Sequence, residues 1–365
     1  MNKRPLTIIC TARMGHGTFE AKFKPLVQLD SIGRIVVVRK DKGPEISKLS
    51  YRILPSLCRN PILNLMITPF VLVREVIRHK ADLILAYHYQ PHFYFAWIAA
   101  KLTGKPYILG QTGTDIQILG SRLIRGWLMR HILRNVLSFN VPGTETYKYW
   151  LSKGVPFDRI RVLHSTIDTD YMIPLEMERR YDFVFVGRLT EVKRIDKLIL
   201  ASSELIKEYP QLRICLVGDG HLMKPLKQMR DEYGLRDNLD FVGLQSNIRD
   251  WLNSAHAFVM MSDSEGLPCA MMEAMSCGLI CIAPMVNNMA DLIKQGETGF
   301  GFDTSNVGQL TGLMRFVKEN RDSLKQIRQN ARELIIACHS FNKAKIEWKQ
   351  VIDRYWERVP EIDCE

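Results

Sequence analysis

Three observations predict an α/β protein built from two parallel-sheet domains. Short apolar runs alternate with longer helix-spaced segments through the second half, and glycines close several of those runs. The chain has 365 residues, more than one core usually supports. Strands spaced by helices imply βαβ units with right-handed crossovers. The expected layout is a first domain over 1–168, a second over 169–340 and a helical segment over 341–365.

In the first half the expected strands are Leu6 to Thr11, Ile35 to Val38, Leu83 to Tyr87 and Tyr107 to Gly110. In the second half, Phe183 to Val186 reads as a strand and Ile195 to Tyr209 as a helix closed by Pro210. Leu212 to Val217 returns to strand, and Gly218-Asp-Gly220 turns into a helix over Leu222 to Tyr233. Leu239 to Val242, Ile248 to Leu252 and Ala257 to Met260 continue the alternation. A helix after Pro268 and a strand from Leu279 to Ala283 follow. Gly299-Phe-Gly301 reads as a β-turn, and beyond Phe341 a helix is expected with Ile346, Val351, Ile352 and Tyr355 apolar. Ligands of such sheets sit beyond the carboxyl ends of the strands, where Gly187, Gly218, Gly243 and Glu265 all fall.

Charge is uneven. The formal net charge is +11, yet residues 1–170 hold 25 Lys+Arg against 11 Asp+Glu, a net of +14. So basic a domain suits an anionic surface. Nucleic acid is disfavoured, because no helix-turn-helix, RNA-binding or zinc signature accompanies the charge. The segment from Arg122 to Arg134 places Leu123, Ile124, Trp127, Leu128 and Ile132 on one helical face, with Arg122, Arg125 and Arg130 mostly elsewhere. Such a helix fits either a bilayer interface or a core with solvated arginines. The eight cysteines include no C-x-x-C pair and read as reduced thiols. With no signal-type start and no run of about 18 apolar residues, the expected location is cytoplasmic, or peripheral on the inner membrane face.

The most informative segment is Ser262-Asp-Ser-Glu-Gly-Leu-Pro-Cys-Ala-Met-Met-Glu-Ala-Met-Ser-Cys-Gly278. Glu265 stands in a Gly/Pro loop and Glu273, eight residues on, in a helix-forming run. Free N–H groups at a helix start favour an anion, whereas a carboxylate suits sugar hydroxyls. Together they suggest a ligand with phosphate and sugar parts. The plainer alternative is a surface loop capping a helix.

This pattern resembles the E-x7-E signature of the retaining family 4 glycosyltransferases, which have the GT-B fold of two Rossmann-like domains facing across a cleft. Other segments agree in order. Phe183-Val-Phe-Val-Gly-Arg-Leu189 with Lys193 resembles the family's strand-GRL-x3-K segment. Leu216-Val-Gly-Asp-Gly220 and Phe241-Val-Gly243 resemble its two glycine turns. The likeness covers about residues 80–360 and is weak before them.

The resemblance implies a nucleotide diphosphate sugar donor, UDP or GDP, and a glycan or lipid-linked acceptor. It further implies retention without a metal or other cofactor, and a last helix that crosses back to the first domain. Leaving-group charge would fall to Arg188 and Lys193, with Gly187, Gly218 and Gly243 beside the donor. Glu273 would accept from ribose hydroxyls, while Glu265 and the Gly266 and Leu267 amides hold the transferred sugar. In the first domain, Gly15 and Gly17 stand where members place a phosphate-contacting glycine pair. Members often carry a histidine at the end of the strand matching Leu83 to Tyr87. Tyr87 falls on that position, and His88 or His92 could serve instead. The Thr114-Asp115 loop resembles the acceptor side, where Asp115 either contacts an acceptor hydroxyl or caps a helix.

Asp168-Thr-Asp170 imitates a D-x-D metal motif but lies away from a strand end with supporting ligands. Gly15-His-Gly17 lacks the third glycine of a dinucleotide fingerprint. A sugar-nucleotide epimerase of the same fold, a glycosyltransferase with a soluble acceptor and a non-catalytic binding protein are the competing functions. An intact E-x7-E speaks against the first, and the joint presence of Arg188, Lys193, Glu265 and Glu273 against the last.

Overall fold

The computed structural model describes residues 4–112 and 123–358. The chain divides into two compact units: residues up to Thr166 together with those from Phe341 onward, and Ile167–Ser340.

The first unit is a seven-stranded parallel sheet of order β3-β2-β1-β4-β5-β6-β7. Its strands are β1 Leu6–Thr11, β2 Ile32–Arg39, β3 Leu49–Ile53, β4 Leu83–Tyr87, β5 Tyr107–Gly110, β6 Ser138–Val141 and β7 Ile160–Val162. Helices α1 (His16–Val27), α2 (Pro61–Arg78) and α3 (Tyr94–Thr103) are among its crossovers. β1, β2 and β4 are nearly continuous apolar runs because helices cover both faces of a parallel sheet. β3, β6 and β7 escape a sequence reading: the first is a partly buried edge, the second carries Ser138 and Asn140, and the third has three residues.

The last helix, Phe341–Arg358, packs on α1 and belongs to this unit. It inserts Trp348, Val351, Ile352 and Tyr355 into the apolar layer formed by Phe19, Phe23, Leu83 and Leu85. Glu347 fastens it, accepting from the His164 backbone N–H at 3.0 Å and pairing with His164 Nδ1 at 2.7 Å. Ile346, expected on the apolar face, is exposed, and Trp348 takes the inward position instead. A second correction concerns the helix Leu123–Arg134, where the expected apolar face splits. Ile132 is buried with Met129 and Leu133, whereas Trp127 is 63% exposed and stacks on His131. Arg122 and the side chains of Leu123, Ile124 and Arg125 lie outside the described residues.

The second unit holds a six-stranded parallel sheet of order β10-β9-β8-β11-β12-β13. Its strands are β8 Tyr181–Val186, β9 Ile214–Val217, β10 Leu239–Gly243, β11 Ala255–Val259, β12 Ile280–Pro284 and β13 Phe300–Phe302. The expected β-turn at Gly299 to Gly301 is corrected: Phe300–Phe302 is the edge strand paired with β12. The glycines serve packing there, since a Cβ on Gly299 would lie 2.6 Å from Ile293 Cδ1 and one on Gly301 2.5 Å from Met285 Sδ. No described helix is long and apolar enough to cross a membrane.

Each sheet has one point where the strand order reverses, between β1 and β4 in the first unit and between β8 and β11 in the second. The crevice beyond the carboxyl ends at such a point is the ligand position of open α/β sheets.

Candidate active site

In the second unit the predicted residues gather along the carboxyl edge of four neighbouring strands. Gly187 follows β8, Gly218 follows β9, Gly243 ends β10, and the Glu265 loop follows β11. The first two glycines are required by close approach. A Cβ on Gly218, whose φ is +141°, would sit 1.9 Å from the Gly187 carbonyl oxygen. The Gly187 N–H donates to Val217 O at 3.0 Å and the Gly218 N–H to Gly243 O at 2.8 Å, so the strand ends are tied in series. Gly243, at φ +73°, faces open space.

The loop after β8 then crosses the reversal point. Arg188 is exposed, and its side chain has no hydrogen-bond or ion-pair partner among the described residues. Leu189 is buried, and a single 3-10 turn, Glu191–Lys193, presents Lys193. Lys193 Nζ donates to Glu265 Oε1, an ion pair sheltered on both sides, with side-chain exposures of 19% and 12%. Sequence reasoning assigned these residues to different parts of a ligand and missed that they meet each other. Two neighbouring contacts hold the loops together. The Asp263 N–H donates to Val192 O at 2.9 Å, and Arg194 reaches the Asp263 carboxylate at 3.2 Å. The Glu265 carbonyl accepts from Asn287 Nδ2 at 2.9 Å, linking in the loop after β12. Asp263, Arg194 and Asn287 carry no motif of their own and become visible only when the strand ends converge.

Glu273 lies on the helix Cys269–Ser276, whose N-cap Pro268 brings no side-chain cap. Buried Met271, Met272 and Ala274 flank it, and Leu267 is buried just before the helix. No described residue bonds its carboxylate, and burial pushes its pKa up to about 7. It therefore stands poised between acid and base at neutral pH. Desolvation is the sole cause, so a ligand hydroxyl donating to it would favour the charged form.

In the first unit, the reversal point between β1 and β4 is bridged by Thr11 and His92, whose Oγ1 and Nδ1 are 2.7 Å apart. Burial, reinforced by His88, Arg13 and Lys40, pushes the His92 pKa down to about 3 and keeps the ring neutral. His88 directly follows β4 and takes φ +73°, ψ 134°, a conformation costing roughly 1–3 kcal/mol for a non-glycine residue. A π-helical turn, Tyr89–Phe93, begins at the next residue, and His88 Nδ1 lies 3.1 Å from Thr112 Oγ1. Tyr87 is fully buried in the core, its ring against Phe23, which removes it from the sheet's open edge. Gly15 is the N-cap of α1 and Gly17 sits in its first turn, both exposed with open space around them. Thr114 and Asp115 lie outside the described residues. Of the D-x-D imitation, Asp168 caps a turn, accepting from the Tyr171 N–H at 3.0 Å.

Comparison with known proteins agrees with this frame. The family model Glycosyltransferase Family 4 matches residues 34–171, and Glycosyl transferases group 1 matches residues 170–334. The N-acetyl-alpha-D-glucosaminyl L-malate synthase of Bacillus anthracis is 25% identical over 253 residues, covering 65% of this chain and 64% of that protein. The UDP-Gal:alpha-D-GlcNAc-diphosphoundecaprenol alpha-1,3-galactosyltransferase of Escherichia coli is 24% identical over 335 residues, covering 85% of this chain and 86% of that one. Among solved structures, Anabaena HepE in complex with UDP and glucose aligns with a TM-score of 0.79 at 17% identity, over 95% of this chain and 99% of that one. Two family matches that meet at the joint between two reversing parallel sheets assign the chain to the family 4 glycosyltransferases, with the GT-B fold.

Proposed function

We propose that this glycosyltransferase moves a sugar from a UDP-sugar to a lipid-linked glycan, with retention at the anomeric carbon and without a metal ion. The observation that carries the reading is the Lys193–Glu265 pair astride the second sheet's reversal point, with Arg188 beside it. The uridine donor is taken from likeness. The Escherichia coli relative is named for UDP-Gal, and Anabaena HepE was crystallised with UDP and glucose. The lipid-linked acceptor follows the same relative, which is named for a diphosphoundecaprenol acceptor.

In this reading Arg188 and Lys193 face the diphosphate as its bond to the sugar breaks and negative charge builds on the leaving oxygen. Fixed cations in a sheltered loop stabilise that charge without reorganising. Glu265 neutralises and positions Lys193 in the resting enzyme, leaving Arg188 as the uncompensated cation. Once the donor enters, Glu265 and the Gly266 and Leu267 amides hold the sugar, while Glu273 accepts from the ribose. Retention follows if the acceptor oxygen attacks from the face the diphosphate leaves, with a leaving phosphate oxygen taking its proton. His88, held at the carboxyl end of β4, is the first unit's candidate catalytic group.

The deciding experiment incubates the protein with labelled UDP-sugars, with and without undecaprenyl diphosphate-linked acceptors. Label appearing in the lipid fraction, with α-linkage from an α-donor, supports the proposal. Conversion of one UDP-sugar into its epimer without any acceptor would replace it with the epimerase reading. Label passing only to water-soluble sugars would retain the transferase and discard the lipid acceptor.

A further inference from the structure

α2 departs from the usual economy of a surface helix. Its core side carries Thr68, Pro69, Leu72, Glu75 and Val76, all buried against the first unit's sheet. A second stripe, Ile62, Met66, Phe70 and Ile77, recurs every one or two turns, at intervals of four or seven residues, on the other side and is 69%, 61%, 69% and 67% exposed. Leu65 and, in the turn before the helix, Leu57 extend the same exposed apolar set. A helix apolar all round belongs inside a protein or against lipid, and this one is open to its surroundings.

Charge identifies the occupant. Between residues 46 and 81 the chain has six basic residues and a single acid, Glu75. That acid is withdrawn into the core, 1% exposed, where it pairs with Arg52 at 3.4 Å and His79 at 3.2 Å. Arg59 in the turn before the helix, and Arg74 and Arg78 on it, remain exposed. An apolar stripe flanked by arginines and free of exposed carboxylates matches the interfacial zone of an anionic bilayer. A protein partner would more commonly meet a mixed-charge rim. The helix also begins at the carboxyl edge of the sheet, since it follows β3 in a parallel crossover.

We propose that α2, with the turn before it, is the surface through which this enzyme lies on an anionic membrane. Ile62, Met66 and Phe70 enter the acyl boundary while Arg59, Arg74 and Arg78 contact headgroup phosphates. This rests on the lipid-linked acceptor only for its purpose, because docking and donor chemistry are separable. It also differs from docking through Trp127, whose ring is engaged with His131.

The test uses the full chain and vesicles of phosphatidylglycerol and phosphatidylcholine, with UDP binding measured in parallel. Replacing Ile62, Met66 and Phe70 by Ser is expected to lower vesicle partitioning at least about tenfold, with UDP binding unchanged. Arg59→Gln, Arg74→Gln and Arg78→Gln together should remove the preference for anionic over zwitterionic vesicles. Phe70→Trp guards against misfolding as an explanation, and should gain fluorescence quenching by brominated lipids above that of the unmodified protein. Wild-type partitioning by the triple Ser variant, or no added quenching of Phe70→Trp on bound vesicles, would overturn the proposal. So would a soluble dimer that dissociates on the same Ser substitutions, which would make the face an interface between copies. Lost vesicle binding with intact UDP binding leaves the donor reading untouched, and the reverse result leaves docking untouched.

Discussion

Glu273 and Arg188 put the sharpest demands on the proposed chemistry. Arg188→Ala should lower turnover by a few hundredfold, on the order of 3 kcal/mol of transition-state stabilisation. The fold should survive, because the side chain is exposed and pairs with nothing described. Wild-type kcat/KM under limiting donor would remove Arg188 from the site. Burial pushes the Glu273 pKa up to about 7, and in the proposed role its charged form is the one that would receive ribose hydroxyls. Donor affinity should therefore weaken as pH falls through about 7, and Glu273→Gln should flatten that dependence while weakening binding at pH 8. Stability runs the opposite way. A carboxyl group whose folded pKa lies above its unfolded value of 4.5 favours folding while protonated and loses that advantage as pH rises toward 7. Glu273→Gln should then stabilise the fold at pH 8 by on the order of 2 kcal/mol after allowing for partial exposure, seen as a higher melting temperature, and have little effect at pH 4. A variant less stable than wild type at pH 8 contradicts the burial argument.

The loops beyond β8, β9 and β11 place these groups, and glycine decides whether they can. Gly218→Ala should be severe, because its Cβ would collide with the Gly187 carbonyl and its φ of +141° is one that side-chain-bearing residues rarely adopt. The expected loss is about 2–4 kcal/mol, with weakened donor binding. Gly243→Ala meets open space and incurs only the positive-φ penalty, about 1–2 kcal/mol. Denaturation midpoints of the two variants in the order 218 below 243 support the packing account, and equal midpoints refute it. These turns were legible in the sequence because a buried parallel strand is an apolar run and its end is marked by glycine. β3, β6 and β7 were not, since Leu49–Ile53, Ser138–Val141 and Ile160–Val162 are short or carry polar residues that only sheet neighbours bury.

The last helix shows how the chain closes the first unit on itself. Trp348, Val351, Ile352 and Tyr355 complete a layer otherwise supplied by residues before 164. Trp348→Ala should destabilise that unit by about 3–5 kcal/mol, as large-to-small changes in a packed layer do. Deleting residues 341–365 should leave the unit prone to aggregate. A truncated chain with an unchanged melting profile would show that the helix is dispensable. If Arg188 and Lys193 supply the positive charge as proposed, activity of the intact enzyme should persist in EDTA. Loss on chelation, restored by Mg²⁺, would bring a metal back into the mechanism.

The alternation of apolar runs, the spacing of Glu265 and Glu273 and the basic bias of residues 1–170 are local properties, written in consecutive residues. They were enough to name two parallel sheets and the segments that line their ends. What consecutive residues cannot express is which groups meet across strand order. The Lys193–Glu265 pair joins residues 72 apart, and the Glu347–His164 clasp joins residues 183 apart. Helical spacing likewise could not tell which of two apolar stripes on α2 faces the core. That choice belongs to packing: the sheet can cover one side of the helix, and Ile62, Met66 and Phe70 are on the other.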